Sequence, residues 1–185
     1  MTAVSTLVLA LYFLVLVILG VFGTHRYAMV YLYRRHRDRK APRKALSNDR
    51  DAPRVTVQLP LYNEMYVVDR LIDSVAEMRY PKERLEIQVL DDSTDETSAL
   101  AEAAVARARA RGFDITLIHR DERTGFKAGA LENGLRLAKG EFVLIFDADF
   151  IAPPDILEAS LGHFEDESVG MVQACLLYTS PSPRA

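Results

Sequence analysis

The sequence predicts an α/β protein: a mostly parallel β-sheet with helices on both of its faces, preceded by one transmembrane helix. Three observations lead to this prediction. The chain opens with a long apolar stretch, short apolar runs alternate with helical patterns from residue 54 onward, and polar residues follow the ends of several runs. Strands that alternate with helices at this spacing form a Rossmann-like sheet with right-handed crossovers. The 185 residues leave room for one globular domain and an appendage.

The N-terminal stretch, residues 3–23, is apolar except for Ser5, Thr6 and the hydroxyl group of Tyr12. About 20 such residues form a helix that crosses a bilayer core about 30 Å thick. A cleavable signal peptide is the alternative, but it would have a basic residue before a shorter apolar run, and no basic residue precedes this one. We therefore predict a retained transmembrane helix over residues 1–24.

Charge is distributed unevenly along the chain. Residues 25–44 carry eight basic side chains and one acid, whereas the chain after them carries 15 basic and 25 acidic residues. The positive-inside rule then places the N-terminus outside and the folded domain on the cytoplasmic side of the plasma or inner membrane. We expect residues 25–53 to be a basic juxtamembrane segment and linker, which either attracts anionic lipid headgroups or is a topology signal alone. The acidic body argues against nucleic-acid binding.

Residues 54–174 contain the predicted α/β domain. Ser93 and Glu96 fit a capping box at the start of one helix, and Arg111-Gly112 fits its end. Pro153-Pro154 fits the start of a later helix. The predicted elements are, in order, strand 55–59, helix 64–78, strand 85–90, a helix to 111, strand 115–118, helix 128–137, strand 142–146, a helix to 164 and a fifth strand from 169 to 172.

The strand predicted at 142–146 is followed by two carboxylates, Asp147 and Asp149. Its β-branched and aromatic composition favours a buried central strand. Ligands of open α/β sheets bind outside the carboxyl ends of the strands, and a D-x-D pair there suits a hard divalent ion that also binds a diphosphate. The alternative is that one of the two aspartates caps the next helix or turn.

Polar residues also follow two other predicted strands, at 60–64 and at Asp91-Asp92. All three strand ends should face one crevice. Together they offer an aromatic or apolar wall for a base, carboxylates or carbonyls for base and ribose edges, and acids for a metal on the phosphates. The chain contains neither a G-x-x-x-x-G-K-[ST] loop nor a G-x-G-x-x-G turn, which disfavours a P-loop kinase or a dinucleotide dehydrogenase.

Lys127 lies at the start of a predicted helix, where the helix dipole disfavours a cation. An anion shared by the lysine and the helix N-terminus would explain its position. The alternative is a solvent-facing lysine that tolerates a cost of a few tenths of a kcal/mol. Gly125 and Gly129 permit close approach of a phosphate, or merely a turn and tight packing.

Five motifs occur in a fixed order: Q-L-P-L-Y-N-E (58–64), V-L-D-D-S-T-D-E-T (89–97), R-D-E-R-T-G-F-K-A-G-A-L (120–131), F-D-A-D-F (146–150) and M-V-Q-A (171–174). The ordered set resembles the family 2 glycosyltransferases of the GT-A fold, and within them the cellulose-synthase-like mannan and glucomannan synthases. Residues 54–174 would be the donor-binding half of a GT-A domain. The resemblance implies a nucleotide-sugar donor (UDP-glucose or GDP-mannose), a Mn²⁺ or Mg²⁺ ion, and inverting transfer of a hexose to a growing β-glycan.

The donor-binding residues implied by the resemblance lie on the three strand ends and at the lysine: Pro60, Tyr62, Glu64, Asp92, Lys127 and Asp147. The first three would line the nucleoside pocket, Asp92 would contact the base or ribose edge, and Lys127 would lie near the phosphates. Asp149, together with Asp147, would hold the metal ion. A metal and a lysine would stabilise the charge that gathers on a leaving diphosphate.

The tail, residues 175–185, departs from the family pattern. In the family, the strand at 171–174 leads to Arg-Trp, an acidic motif with the general base, and Q-x-x-R-W, whereas this chain has no tryptophan. The Ser/Pro-rich tail resembles a frameshift or vector read-through, and a genuine divergent C-terminus is the alternative. Because no general base can be named, we expect an incomplete chain that does not turn over alone. A lipid glycosyltransferase and a non-catalytic nucleotide-binding module are the alternative functions.

Overall fold

The structure, a computed structural model, describes residues 3–36 and 52–174. These residues belong to two separate compact units, an N-terminal helix and an α/β domain. Most of the predicted linker and the whole of the tail lie outside the described residues. Predictions about the origin of the tail therefore stay predictions.

The N-terminal unit is one helix, α1 (Ala3–His36). At about 1.5 Å per residue, its 34 residues are longer than the hydrocarbon core of a bilayer requires. The helix continues without a break beyond the apolar stretch, and its last turn contains Arg34, Arg35 and His36. By length and composition alone the helix can cross a membrane, a criterion that a signal sequence near the N-terminus also meets. Membrane crossing stays a prediction.

The α/β domain is built on four parallel strands: β1 (Val55–Leu61), β2 (Leu85–Asp91), β3 (Asp114–His119) and β4 (Phe142–Ile145). Their order in the sheet is β3-β2-β1-β4. The chain moves outward from β1 to β3 and then returns to the opposite side of β1. This reversal creates a topological switch point between β1 and β4, where open α/β sheets bind ligands. The predicted parallel, Rossmann-like sheet is confirmed.

Helices cover both faces of the sheet. The helices α2 (Val68–Ala76), α3 (Thr97–Ala110) and α5 (Ile156–Leu161) bury apolar residues in the main core. The strands contribute their alternate residues to this core, such as Val55, Val57 and Leu59. The helix α4 (Phe126–Leu135) lies on the other face, against Gln58, Gln88 and Leu90. Short 3₁₀ turns occur at 82–84 and 162–165.

The sheet face below α4 is polar and buried. The parallel register places Thr56 opposite Glu86 and Gln58 opposite Gln88. Thr56 donates a 2.6 Å hydrogen bond to Glu86, and the Gln58 amide donates to Gln88 at 3.0 Å and to the carbonyl of Leu131 in α4 at 3.4 Å. Because each buried polar group has a partner, this ladder fixes the position of α4 on the sheet.

The structure corrects three predictions at element ends. The capping box at Ser93 and Glu96 does not form, because α3 begins at Thr97 and the Ser93 hydroxyl accepts the backbone N–H of Asn63 instead. The helix predicted over 64–78 is shorter, since residues 64–67 form turns before α2. The strand predicted to stop at residue 59 extends through Pro60 to Leu61.

Two further corrections concern the β4 side of the sheet. Within the described residues β4 is an edge strand rather than a buried central one, and Val143 and Ile145 are 38% and 47% exposed. The fifth strand predicted at 169–172 is irregular chain. Residues 171–174 and β4 line a cavity of about 350 Å³, and within the described residues the segment does not pair with the sheet.

Candidate functional site

The carboxyl ends of β1, β2 and β4 and the start of α4 surround one cavity of about 380 Å³, which we call the crevice. It lies at the switch point between β1 and β4. Its lining includes all seven residues that were predicted to bind the donor or the metal: Pro60, Tyr62, Glu64, Asp92, Lys127, Asp147 and Asp149. The predicted convergence of the three strand ends is therefore observed, and the volume suits a small ligand. The roles assigned to these residues stay predictions.

Pro60 lacks a backbone N–H, and it is tolerated in β1 because that N–H would face β4 beyond the last paired residue. The carbonyl of Gln58 accepts a hydrogen bond from Phe146 on the β4 side, and that of Leu61 accepts one from Asp92 on the β2 side. Successive residues of a strand alternate sides, so Pro60 faces the β4 side. The last residue of β4, Ile145, pairs with Gln58, so Pro60 lies just beyond the last β1–β4 pair, where its missing N–H ends the ladder.

The loops that follow β1 and β2 are tied to each other through Asn63. This residue has a left-handed backbone, with φ of +53°. Its backbone N–H donates to the Ser93 hydroxyl at 3.0 Å, and its side-chain oxygen accepts the N–H of Thr94 at 2.9 Å. These contacts hold the loop that carries Tyr62 and Glu64 at the mouth of the crevice.

Asp92 is buried, and Arg120 donates two hydrogen bonds to its carboxylate. Arg120 Nε donates to Oδ1 at 2.8 Å and Nη2 to Oδ2 at 2.6 Å. The bond to Asp92 raises the pKa of the Arg120 guanidinium. The same guanidinium donates to the carbonyls of Thr124 and Phe126, both at 3.1 Å. Arg120 therefore joins the end of β2 to the loop that leads into α4.

Arg123 also lines the crevice. Its guanidinium carbon, Cζ, lies 3.3 Å from the centre of the Tyr62 ring and 5.2 Å from the centre of the Phe126 ring. Sequence reasoning assigned no role to either Arg120 or Arg123. The available signal was their shared motif, R-D-E-R (120–123), which is separated from Lys127 by three residues.

Lys127 occupies the first turn of α4, as predicted, and its cation pairs with the carboxylate of Asp147. A bound anion or solvent was the environment expected for this lysine from the sequence, and the carboxylate that follows β4 was not considered.

The two glycines of this region allow a tight turn and close packing. Gly125 has φ of +73°, and a Cβ on Gly129 would lie 2.1 Å from the carbonyl oxygen of Thr124. The loop before α4 is thus tightly wound, which aims Lys127 at the end of β4.

The acids of the crevice share an electrostatic environment. Burial raises the pKa of Glu64, the negative charges of Asp149 and Asp147 raise it further, and Lys127 opposes the shift. Neither aspartate caps the next helix, because α5 begins after Asp155. The acids therefore produce a local excess of negative charge at the mouth of the crevice.

These acids fit a divalent ion that a ligand helps to hold. Asp147 and Asp149 are two exposed carboxylates, the oxygen donors that Mg²⁺ and Mn²⁺ prefer, and Mg²⁺ typically takes one or two protein carboxylates plus substrate phosphates. Among residues 3–36 and 52–174, no group of three or more His, Cys, Asp or Glu residues forms an all-protein metal cage. The donor set suits a shared metal rather than a structural one.

Comparison with known proteins places the chain in a family. The sequence matches the profile of "Glycosyl transferase family 2" over residues 56–184, more than half of its length. The chain belongs to glycosyl transferase family 2. The crevice residues all fall within the matched range. Membership of family 2 confirms the resemblance and the GT-A-type fold.

Curated relatives of this family 2 chain include plant mannosyltransferases. It is 40% identical over 127 residues to Glucomannan 4-beta-mannosyltransferase 2 of Arabidopsis thaliana, and 42% identical over 113 residues to Glucomannan 4-beta-mannosyltransferase 7 of the same organism. These alignments cover 66% and 59% of this chain but only 24% and 20% of the relatives. The chain thus spans about a quarter of the length of the curated relatives that it matches.

Solved structures show the same fold. The mannosyltransferase PcManGT from Pyrobaculum calidifontis, in complex with GDP-Man and Mn²⁺, superposes with a TM-score of 0.63 at 34% identity, over 82% of this chain and 44% of that one. S. aureus TarS 1-349, in complex with UDP-GlcNAc, gives a TM-score of 0.51 at 27% identity, over 62% and 31% of the two chains. Both neighbours were solved with a nucleotide sugar.

Proposed function

We propose that this protein is the donor-binding part of a membrane-bound, metal-dependent glycosyltransferase that transfers mannose from GDP-mannose, with inversion, to an acceptor hydroxyl. The observation that carries this proposal is the convergence of Tyr62, Asp92, Lys127, Asp147 and Asp149 on one crevice at the switch point. An aromatic ring, a cation and paired carboxylates are the groups that a nucleotide diphosphate and its metal require.

The choice of GDP-mannose over UDP-glucose is supported by the relatives. Two plant relatives at 40% and 42% identity are named as glucomannan mannosyltransferases, and PcManGT was solved with GDP-Man. TarS, which was solved with UDP-GlcNAc, is less similar in both sequence and fold. We infer a growing β-mannan or glucomannan as the acceptor, with a lipid acceptor as the alternative.

Each crevice residue has a proposed task in donor binding. Pro60 and Tyr62 would form the wall of the nucleoside pocket, with Glu64 beside them and Asp92 at the base or ribose edge. Lys127 would exchange Asp147 for the donor diphosphate, since a cation at a helix N-terminus gains from a shared anion.

Asp149 and Asp147 would hold a Mn²⁺ or Mg²⁺ ion. When bound, this ion would neutralise charge on the diphosphate leaving group. Lys127 is positioned to add a second positive charge at the same place, where the transition state gathers negative charge. The positive charge of the ion would also offset the repulsion among the nearby acids, Glu64 included.

The membrane-bound state is supported by α1 and by the charge that follows it. The apolar helix ends in Arg34, Arg35 and His36, and the sequence continues with further basic residues to Lys44. By the positive-inside rule, the crevice would lie on the cytoplasmic side of the membrane.

Isothermal titration of the detergent-solubilised chain tests the proposal. We expect GDP to bind in the presence of Mn²⁺, more tightly than UDP, and to lose affinity at least tenfold in EDTA. Binding of UDP at equal or higher affinity would overturn the choice of GDP-mannose. Absence of binding by either nucleotide would overturn donor binding itself.

A further inference from the structure

Arg123 occupies the surface on which a nucleobase would stack. Its planar guanidinium lies with Cζ 3.3 Å from the centre of the Tyr62 ring, the distance expected of stacked planar groups. The ring of Phe126 lies on the same guanidinium at 5.2 Å from Cζ and is 67% exposed. The guanidinium therefore contacts two aromatic rings at the mouth of the crevice.

The guanidinium of Arg123 stacks on Tyr62, but its Nε atom lacks a hydrogen bond. The Nε atom of Arg123 is buried, yet it finds no hydrogen-bond partner among the described residues. Its nearest acid is Asp92, at 3.9 Å, and both oxygens of that carboxylate already accept hydrogen bonds from Arg120. A buried donor without an acceptor is costly, and this cost offsets part of the gain from stacking.

A group held in this way is easily displaced. Stacking on Tyr62 keeps the guanidinium in place while the crevice is empty, because the flat ring is otherwise exposed to water. A nucleobase is also a flat group, and it would compete for the same ring. On leaving, Arg123 would regain hydrogen bonds for Nε in water or on the ligand, which lowers the cost of the exchange.

We propose that Arg123 is a placeholder on Tyr62 that the nucleobase of the donor displaces, so that base binding is coupled to an outward swing of this side chain. The inference rests on the proposed function, since it concerns the same crevice and the same nucleotide. Arg123 thereby acts as a positioning residue: it keeps the base site closed to weak binders and open to a group that stacks better. The displacement itself requires the base and not the phosphates.

The test compares a ligand that has a base with one that lacks it. Isothermal titration in Mn²⁺ measures the affinities of GDP and inorganic pyrophosphate for the unaltered 185-residue chain and for Arg123→Ala. The ratio of the two affinities isolates the contribution of the base, because loss of the arginine charge affects both anions. Arg136→Ala is the matched control, since Arg136 is 72% exposed, pairs with Glu132 and lies outside the crevice.

We expect Arg123→Ala to raise the GDP-to-pyrophosphate affinity ratio by about tenfold, which corresponds to about 1.4 kcal/mol. Arg136→Ala should leave the ratio unchanged. In a Tyr62→Ala background, Arg123→Ala should no longer raise the ratio, because the ring for which the two groups compete is absent.

Two results would overturn the placeholder role while leaving donor binding intact. If Arg123→Ala lowers the ratio, the arginine contacts the bound base instead of yielding to it. If the ratio does not change, Arg123 has no part in base binding. If wild-type chain binds GDP no better than pyrophosphate, the proposed nucleotide site fails, and the placeholder fails with it.

Discussion

Arg120 and Asp92 form a two-pronged ion pair between the end of β3 and the end of β2, with N–O distances of 2.8 and 2.6 Å. The side chains are only 15% and 4% exposed. Since Arg120 also holds the carbonyls of Thr124 and Phe126, this pair is the link between the predicted base-contacting acid and the loop before α4. Asp92 therefore has a structural task besides any contact with a ligand.

The first prediction concerns the stability that this pair provides. Arg120→Ala should lower the free energy of unfolding by about 3 kcal/mol, because it leaves a buried carboxylate without its partner. Urea unfolding followed by circular dichroism measures the change. Arg136→Ala, which breaks the exposed pair with Glu132, is the control and should cost less than about 0.5 kcal/mol. Equal losses of unfolding free energy in the two variants would show that the buried Arg120–Asp92 pair stabilises the fold no more than an exposed ion pair does.

A second prediction concerns Lys127. Lys127→Met should weaken GDP binding by about tenfold or more, since hydrogen bonds to charged groups contribute about 1.5–3 kcal/mol. Its effect on stability should be small, because Lys127 and Asp147 are 49% and 62% exposed. Lys82→Met, outside the crevice, is the control. Titration calorimetry measures the GDP affinity of each variant. An unaltered affinity in Lys127→Met would show that the lysine does not contact the phosphates.

The third prediction tests how α4 is held on the sheet. A Cβ on Gly134 would lie 2.7 Å from Gln58 Nε2 and 2.9 Å from Gln88 Oε1, the two atoms that hydrogen-bond each other. Gly134→Ala should therefore cost about 1–3 kcal/mol despite its better helix propensity. Gly170→Ala has open space around it and should be nearly neutral. Thermal unfolding of both variants provides the comparison. If Gly134→Ala does not lower stability, the side chains of Gln58 and Gln88 can move aside at little cost.

Alkaline stability forms the fourth prediction, through Tyr80. Burial raises the pKa of Tyr80 from 10.0 to about 12, and its hydroxyl donates to the carbonyl of Pro53 just before β1. Above pH 10 the unfolded tyrosine ionises while the folded one stays neutral, so stability is present below pH 10 and is lost as the pH rises toward 12. Tyr80→Phe should lower stability by about 1 kcal/mol at pH 7 and flatten the decline between pH 10 and 12. Melting temperatures across this range test the slope, which would be the same in both proteins if Tyr80 were not the group responsible.

The sequence was sufficient to predict that three strand ends meet in the crevice, but Arg123, which also lines it, was missed. Tyr62, Asp92 and Asp147 each follow a short apolar run, and the carboxyl ends of parallel strands lie at one edge of a sheet. That inference needs only the strand positions and their parallel direction. Errors of one or two residues at the strand ends did not affect it.

The partners of these residues could not be predicted, because they depend on long-range contacts. Ser93 was assigned to a helix cap, but the hydroxyl binds Asn63, which lies 30 residues away in sequence. Arg120 and Asp92 meet only because β3 lies next to β2. The edge position of β4 likewise follows from strand order, which neither composition nor periodicity encodes.

The most direct test of donor binding is the linkage between metal and nucleotide, and it forms the last prediction. Electron paramagnetic resonance measures free Mn²⁺ as the chain is titrated, with and without GDP. We expect GDP to increase Mn²⁺ binding at least tenfold, and Asp149→Asn to abolish this increase while Asp155→Asn, outside the crevice, retains it. Binding of Mn²⁺ that is the same with and without GDP, or that survives Asp149→Asn, would contradict a shared metal site in the crevice.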